Sequence, residues 1–125
     1  MNKGYEDVLS SISSSNPTPG GGSVSALILS HAHSLATMVA RLTSGRDKWS
    51  DGQGIAEEII SKSNESIETS LRLAKEDALA FDSVMSSYRL PRDTDELKET
   101  RKEAIFDSTI NAASVPLEIM YEASN

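Results

Sequence analysis

Apolar side chains recur along this chain at alternating steps of four and three residues, and almost nowhere do β-branched and polar residues alternate. That spacing admits helices and leaves little room for strands. One series runs Val24, Ile28, His31, Leu35, Met38, Leu42, and a second runs Ile60, Asn64, Ile67, Leu71, Ala74, Ala78, Phe81, Met85, Tyr88. Both read as seams along which helices lie side by side. The expected fold is all-α, a helical bundle with one long central helix, and dimeric. Helices are expected over about Tyr5 to Ser14, Ser23 to Ser44, Gln53 to Tyr88, and from Thr94 or Asp95 toward Ser114. Leu90-Pro91 closes the third, because the residue before proline leaves the helical region. Pro116 is expected to kink the fourth or to begin another. Leu117, Ile119, Met120 and Tyr121 open an apolar face with little left to pack on. Either a partner subunit covers it, or the chain is a shortened version of a larger helical domain.

With 125 residues the chain suits a single domain over 1–125. Twelve Lys and Arg against nineteen acids give a net charge of -7, which argues against nucleic acid as a partner. The most apolar stretch, Val24 to Leu42, carries His31, His33, Arg41 and several serines, so no membrane span is expected. No secretory pattern opens the sequence, and the expected location is cytoplasmic. There are no cysteines, which removes disulfides and thiolate chemistry. His31 and His33, two residues apart, point about 200° from each other on a helix, so no metal site is expected there. The charge run Lys98 to Glu103 reads as a solvated helix face.

Pro17-Thr-Pro-Gly-Gly-Gly-Ser23 stands directly before the second helix. Three consecutive glycines let something approach the main chain at a helix N-terminus, where free N–H groups and the dipole favour an anion. The plainer alternative is a tight loop with Ser23 as its N-cap. No Walker-type lysine follows, so a nucleotide loop is poorly supported. On the third helix Asp77 shares a stripe with Leu73, Ala80 and Val84, which directs its carboxylate between helices. There it either pairs with a serine or arginine of a neighbour or meets a ligand. Asp82 lies on a more polar strip about 140° away, so the two are not expected to form one dyad. His31 is either a satisfied core imidazole or a general acid–base group. Lys48 beside Trp49 is a cation and an aromatic that could close over a flat ligand.

Three stretches in order, Pro17-Thr-Pro-Gly-Gly-Gly-Ser-Val-Ser-Ala-Leu27, Glu76-Asp-Ala-Leu-Ala-Phe-Asp82 with Leu90-Pro-Arg92, and Arg101-Lys-Glu-Ala-Ile105 through Ala112-Ala-Ser-Val-Pro-Leu117, resemble the cyclodeaminase domain of the formiminotransferase-cyclodeaminase family. The resemblance covers nearly the whole chain. It implies a helical dimer acting on a tetrahydrofolate derivative without metal or redox cofactor. One such reaction closes 5-formimidoyltetrahydrofolate to the 5,10-methenyl compound with release of ammonia, and the other hydrolyses the methenyl bridge. A non-catalytic folate-binding or helical oligomerisation protein is the alternative. Carried over by motif, Asp77 and Asp82 are the candidate catalytic carboxylates, Asp77 favoured by its inward stripe, and His31, read from its seam, is the third candidate catalytic residue. Pro19, Gly20, Gly21, Gly22, Ser23 and Lys48 are the candidate substrate-binding residues. The helix end at the glycines is further expected to take a carboxylate of the folate glutamate tail. Relatives continue through further helices beyond Val115-Pro-Leu117.

Overall fold

The computed structural model describes residues 3–124. Four helices follow in order: α1 Lys3–Ile12, α2 Gly21–Thr43, α3 Gln53–Tyr88 and α4 Asp95–Ser124. No strand occurs among the described residues, and the 36-residue α3 is the central element. It packs against α2 on one side and α4 on another, and α2 also touches α4. A 3-10 turn at Asp47–Gly52 links α2 to α3. Gln53 fastens that link: its side-chain nitrogen donates to the carbonyls of Thr43 and Trp49, and its oxygen accepts from the Gly45 N–H at 2.9 Å. Thr94 caps α4, its hydroxyl accepting from the Leu97 N–H at 3.2 Å. The helix then passes through Pro116 to Ser124 as one element, where the sequence suggested a kink or a new helix.

The faces that pack are not the large apolar seams. Ile28, Leu35, Met38 and Leu42 are all more than half exposed. The buried positions of α2 are Ser23, Ala26, Ser30, Thr37 and Ala40. On α3 they include Ala56, Ser63, Ser70, Leu73, Ala74 and Ala80, while Leu71, Phe81, Met85 and Tyr88 stay exposed. Steps of seven take Ser23 to Ser30 and Thr37 along α2, and Asp77 back to Ser70, Ser63 and Ala56 along the antiparallel α3. The expected main seams are therefore corrected. Small side chains let two backbones approach closely, and a serine that satisfies its hydroxyl within its own helix behaves as a small spacer. Ser30, Thr37, Ser63 and Ser70 all do so, donating to the carbonyls of Leu27, His33, Ile60 and Ser66 at 2.7–2.8 Å.

By length and composition α2 is apolar enough to cross a membrane, yet its small-residue stripe is the one packed on α3. Where α2, α3 and α4 meet, Ala26, Leu73, Ala74, Ala80, Val115 and Ile119 form the apolar core, with Leu27 and Ala112 against it. Outside it, Arg72 on α3 reaches Glu118 of α4 at 2.8 Å and Glu76 at 2.7 Å. These acids, Glu118 foremost, hold the guanidinium above its ordinary pKa. The pairs are exposed, so they contribute little to stability.

Ser70 is fully buried in the α2–α3 contact. Ser70→Leu is expected to lower unfolding free energy by about 1–3 kcal/mol through overpacking. Ser70→Ala should stay within about 0.5 kcal/mol, since the hydroxyl bonds only its own helix and alanine is the better helix former. Urea unfolding of the pair checks both values.

Candidate functional site

Among the buried hydroxyls, Ser23 alone reaches across helices. Its backbone N–H and its hydroxyl both donate to Asp77 Oδ2, at 2.7 and 2.9 Å. Gly20, the residue before α2, offers no side-chain cap. A carboxylate from α3 therefore caps the first turn of α2, where an anion is favoured by the free N–H groups and the helix dipole. Gly22 makes this possible. A Cβ at that position would lie 2.5 Å from Asp77 Cγ, and closer still to Oδ1. At Gly21 nothing lies within 4 Å of such an atom. The third glycine is thus required by contact with the acid.

Beside this contact is a hollow of about 340 Å³, lined by Pro17, Thr18, Gly20 to Gly22, Asp77, Phe81, Ala112 and Pro116. It joins the loop before α2, the middle of α3 and the proline-bearing stretch of α4. Asp77 Oδ2 is committed to Ser23, whereas Oδ1 accepts no hydrogen bond from the described residues. The free oxygen can take a proton or face a developing positive charge in a largely apolar surrounding.

The expected binding of a ligand carboxylate at this helix end meets a competitor in the structure. The protein's own Asp77 already occupies the anion position, and a second carboxylate there would meet like charge. The site favours a cationic or N–H-bearing group instead.

The other candidates fall in different places. Asp82 does not line the hollow, and its Oδ1 accepts from the Thr18 hydroxyl at 3.0 Å, tying the loop to α3. Pro19 follows a cis peptide bond after Thr18 and lies on the other side of the loop, in a shallow recess with Ser23, Leu27 and Leu71. Ser23 belongs to the site through Asp77. His31, expected on a packed seam, is exposed. Its Nδ1 pairs with the Leu27 carbonyl at 2.5 Å, and its ring meets Tyr5 edge-on at 5.8 Å between centroids. It lines a separate recess under α1, outside the hollow. Lys48 stacks on Trp49 at 5.0 Å, beyond the far end of α2. With α2 about 33 Å long, Lys48 and the glycines cannot meet one ligand within a chain. No group of three or more His, Cys, Asp or Glu among the described residues is placed to hold a metal ion.

Phe81, Thr18, Ala112 and Pro116 were not singled out as site residues in the sequence. For Phe81 the signal was its place four residues after Asp77, which puts both on one face of α3. Ala112 and Pro116 stood in a motif without an evident task.

Residues 4–125 match the formiminotransferase-cyclodeaminase family. The chain belongs to that family. A methenyltetrahydrofolate cyclohydrolase of Methylorubrum extorquens is 35% identical over 116 residues, covering 93% of this chain and 56% of that protein. The formimidoyltransferase-cyclodeaminase of Sus scrofa is 28% identical over 117 residues, covering 94% of this chain and 22% of its own length. The crystal structure of a formiminotetrahydrofolate cyclodeaminase from Thermotoga maritima superposes with a TM-score of 0.78 at 27% identity, over 94% of this chain and 54% of that one. This member of the family thus spans about half the length of the cyclohydrolase and of the solved cyclodeaminase.

Proposed function

We propose that this chain carries the catalytic pocket of a tetrahydrofolate-dependent one-carbon enzyme, and that it hydrolyses 5,10-methenyltetrahydrofolate. The reading is carried by one observation: a carboxylate with one oxygen already fixed by Ser23 and the other free beside an apolar hollow at the glycine turn. The methenyl bridge is a cationic amidinium carbon. A carboxylate next to it stabilises the bound cation, and Asp77 Oδ1 accepts a proton from the attacking water as the new C–O bond forms. Returning that proton to the departing nitrogen as its C–N bond breaks, while the hydroxyl on the same carbon releases its proton to solvent, leaves a formyl group on the other nitrogen. Phe81, Ala112 and Pro116 supply apolar walls for a flat ring. The chemistry is proton movement at a single carbon and calls for no redox group.

Ring closure of 5-formimidoyltetrahydrofolate places the same demands on the site. N10 attacks the formimidoyl carbon and ammonia leaves. The 28% identity to a formimidoyltransferase-cyclodeaminase and the likeness to a solved cyclodeaminase support that second reading.

Following the methenyl chromophore in the ultraviolet separates the two. Decay of added 5,10-methenyltetrahydrofolate above the uncatalysed rate identifies the hydrolase, and its appearance with ammonia from the formimidoyl substrate identifies the cyclodeaminase. Neither signal, with folate binding retained, would indicate a non-catalytic member.

The working form we propose is a cytoplasmic homodimer without nucleic-acid or membrane partners. The net charge of -7 supports the exclusion of nucleic acid. The exposed apolar faces of α2, at Ile28, Leu35 and Met38, and of α4, at Phe106, Ile110 and Met120, support the assembly. Sedimentation equilibrium showing only the 13.5 kDa monomer would refute it.

A further inference from the structure

The fourth helix holds a proline in its interior and runs through it without a break. Pro116 has no N–H, so the Ala112 carbonyl, four residues earlier, has no i+4 partner in the helix, and the pyrrolidine ring crowds it. Ala112 and Pro116 are also the two α4 residues that line the hollow beside Asp77. The freed acceptor lies on the strip of helix between them, at the hollow's wall. Its position is fixed by packing, since Ala112 rests on the apolar core and Val115 and Ile119 are buried within it.

We propose that the Ala112 main-chain carbonyl, kept free by Pro116, accepts a hydrogen bond from an N–H of the bound substrate and so selects and orients it. This rests on the folate reading above and names the group that reads the ring. In a 5,10-methenyl substrate N5 and N10 carry no hydrogen. The ring donors that remain are those of the aminopyrimidine edge and N8, and of these the proposed partner of the carbonyl is the 2-amino group. Asp77 and Ala112 then divide the work: the carboxylate serves the one-carbon centre, and the carbonyl holds a ring N–H. Toward this hydrogen bond Pro116 is a positioning residue, acting through Ala112, in addition to its place in the wall of the hollow.

Pro116→Ala restores an N–H at 116 and lets the Ala112 carbonyl close its helix bond. The variant is expected to unfold at a temperature no lower than the parent, because a helix-interior proline is removed and a backbone bond regained. Its KM for 5,10-methenyltetrahydrofolate should rise about 10-fold while kcat changes less than about 2-fold, the signature of lost uniform binding. In calorimetric titration the parent should prefer tetrahydrofolate over its 2-desamino counterpart by about 10-fold, and the variant should show no preference. Unchanged KM and unchanged preference in a folded variant overturn the assignment. So does a variant that is less stable and binds both ligands more weakly by the same factor, which is the mark of a structural proline. Pro116→Gly, which also restores the N–H, repeats the comparison if alanine is not tolerated. A parent protein that binds neither ligand overturns the folate reading, and this assignment with it.

Discussion

Gly22→Ala is expected to unfold at lower denaturant and to lose turnover, although it adds one methyl group to a residue already in a helix. Its Cβ would sit well inside van der Waals contact of the Asp77 carboxylate, so the acid must leave the first turn of α2. Both Ser23 hydrogen bonds are lost with it. Overpacking at such a contact costs about 1–3 kcal/mol, and the displaced carboxylate no longer faces the hollow. Gly21→Ala is the control. It meets nothing, and as an alanine in the first turn it should be neutral or stabilising by about 0.4–1 kcal/mol. Urea unfolding and turnover measured on both variants check the contrast. Equal behaviour of the two would mean that the contact between Gly22 and Asp77 does not constrain the site.

The second large effect concerns the charge itself. Asp77→Asn preserves shape and leaves an amide oxygen to accept from Ser23, but it removes the negative charge at the helix end. Loss of that charge–dipole attraction should cost about 0.3–1 kcal/mol. Turnover should fall about 10²–10⁴-fold, the usual contribution of a positioned acid–base group. Circular dichroism unchanged from the parent, together with loss of the methenyl absorbance change, is the expected result. Normal turnover in a folded Asp77→Asn would remove Asp77 from the chemistry.

The helices were legible because helical spacing is a one-dimensional property. Gln53 to Tyr88 was readable to the residue from the loop before it and Leu90-Pro91 after it. Which face of each helix packs was not. Hydropathy favours Ile28, Leu35 and Met38, whereas the helices chose Ser30, Thr37 and Ala40. A serine counts as polar in any such scale, and its return bond to its own helix appears only once the helix exists. The inward stripe of Asp77 with Leu73 and Ala80 was readable by angle. Its contact with Ser23 needed the register between α2 and α3, which no local pattern encodes. Likewise Asp82 lies in the same motif as Asp77 but its Oδ1 accepts from Thr18, and His31 is exposed beside Tyr5. Pro116 read as a kink or a new start because its cost is local, while the burial of Val115 and Ile119 that carries α4 through it is tertiary.

The serine and alanine stripe joining α2 to α3 works as a ruler. Sliding one helix past the other by a single turn would carry Asp77 about 5.4 Å from the glycines, farther than any hydrogen bond can stretch. Side-chain size at Thr37, Ser63 or Ala56, several turns from any reacting atom, thereby governs whether the acid arrives where it is needed. Bulk introduced there would silence the protein while every residue of the pocket remained unaltered.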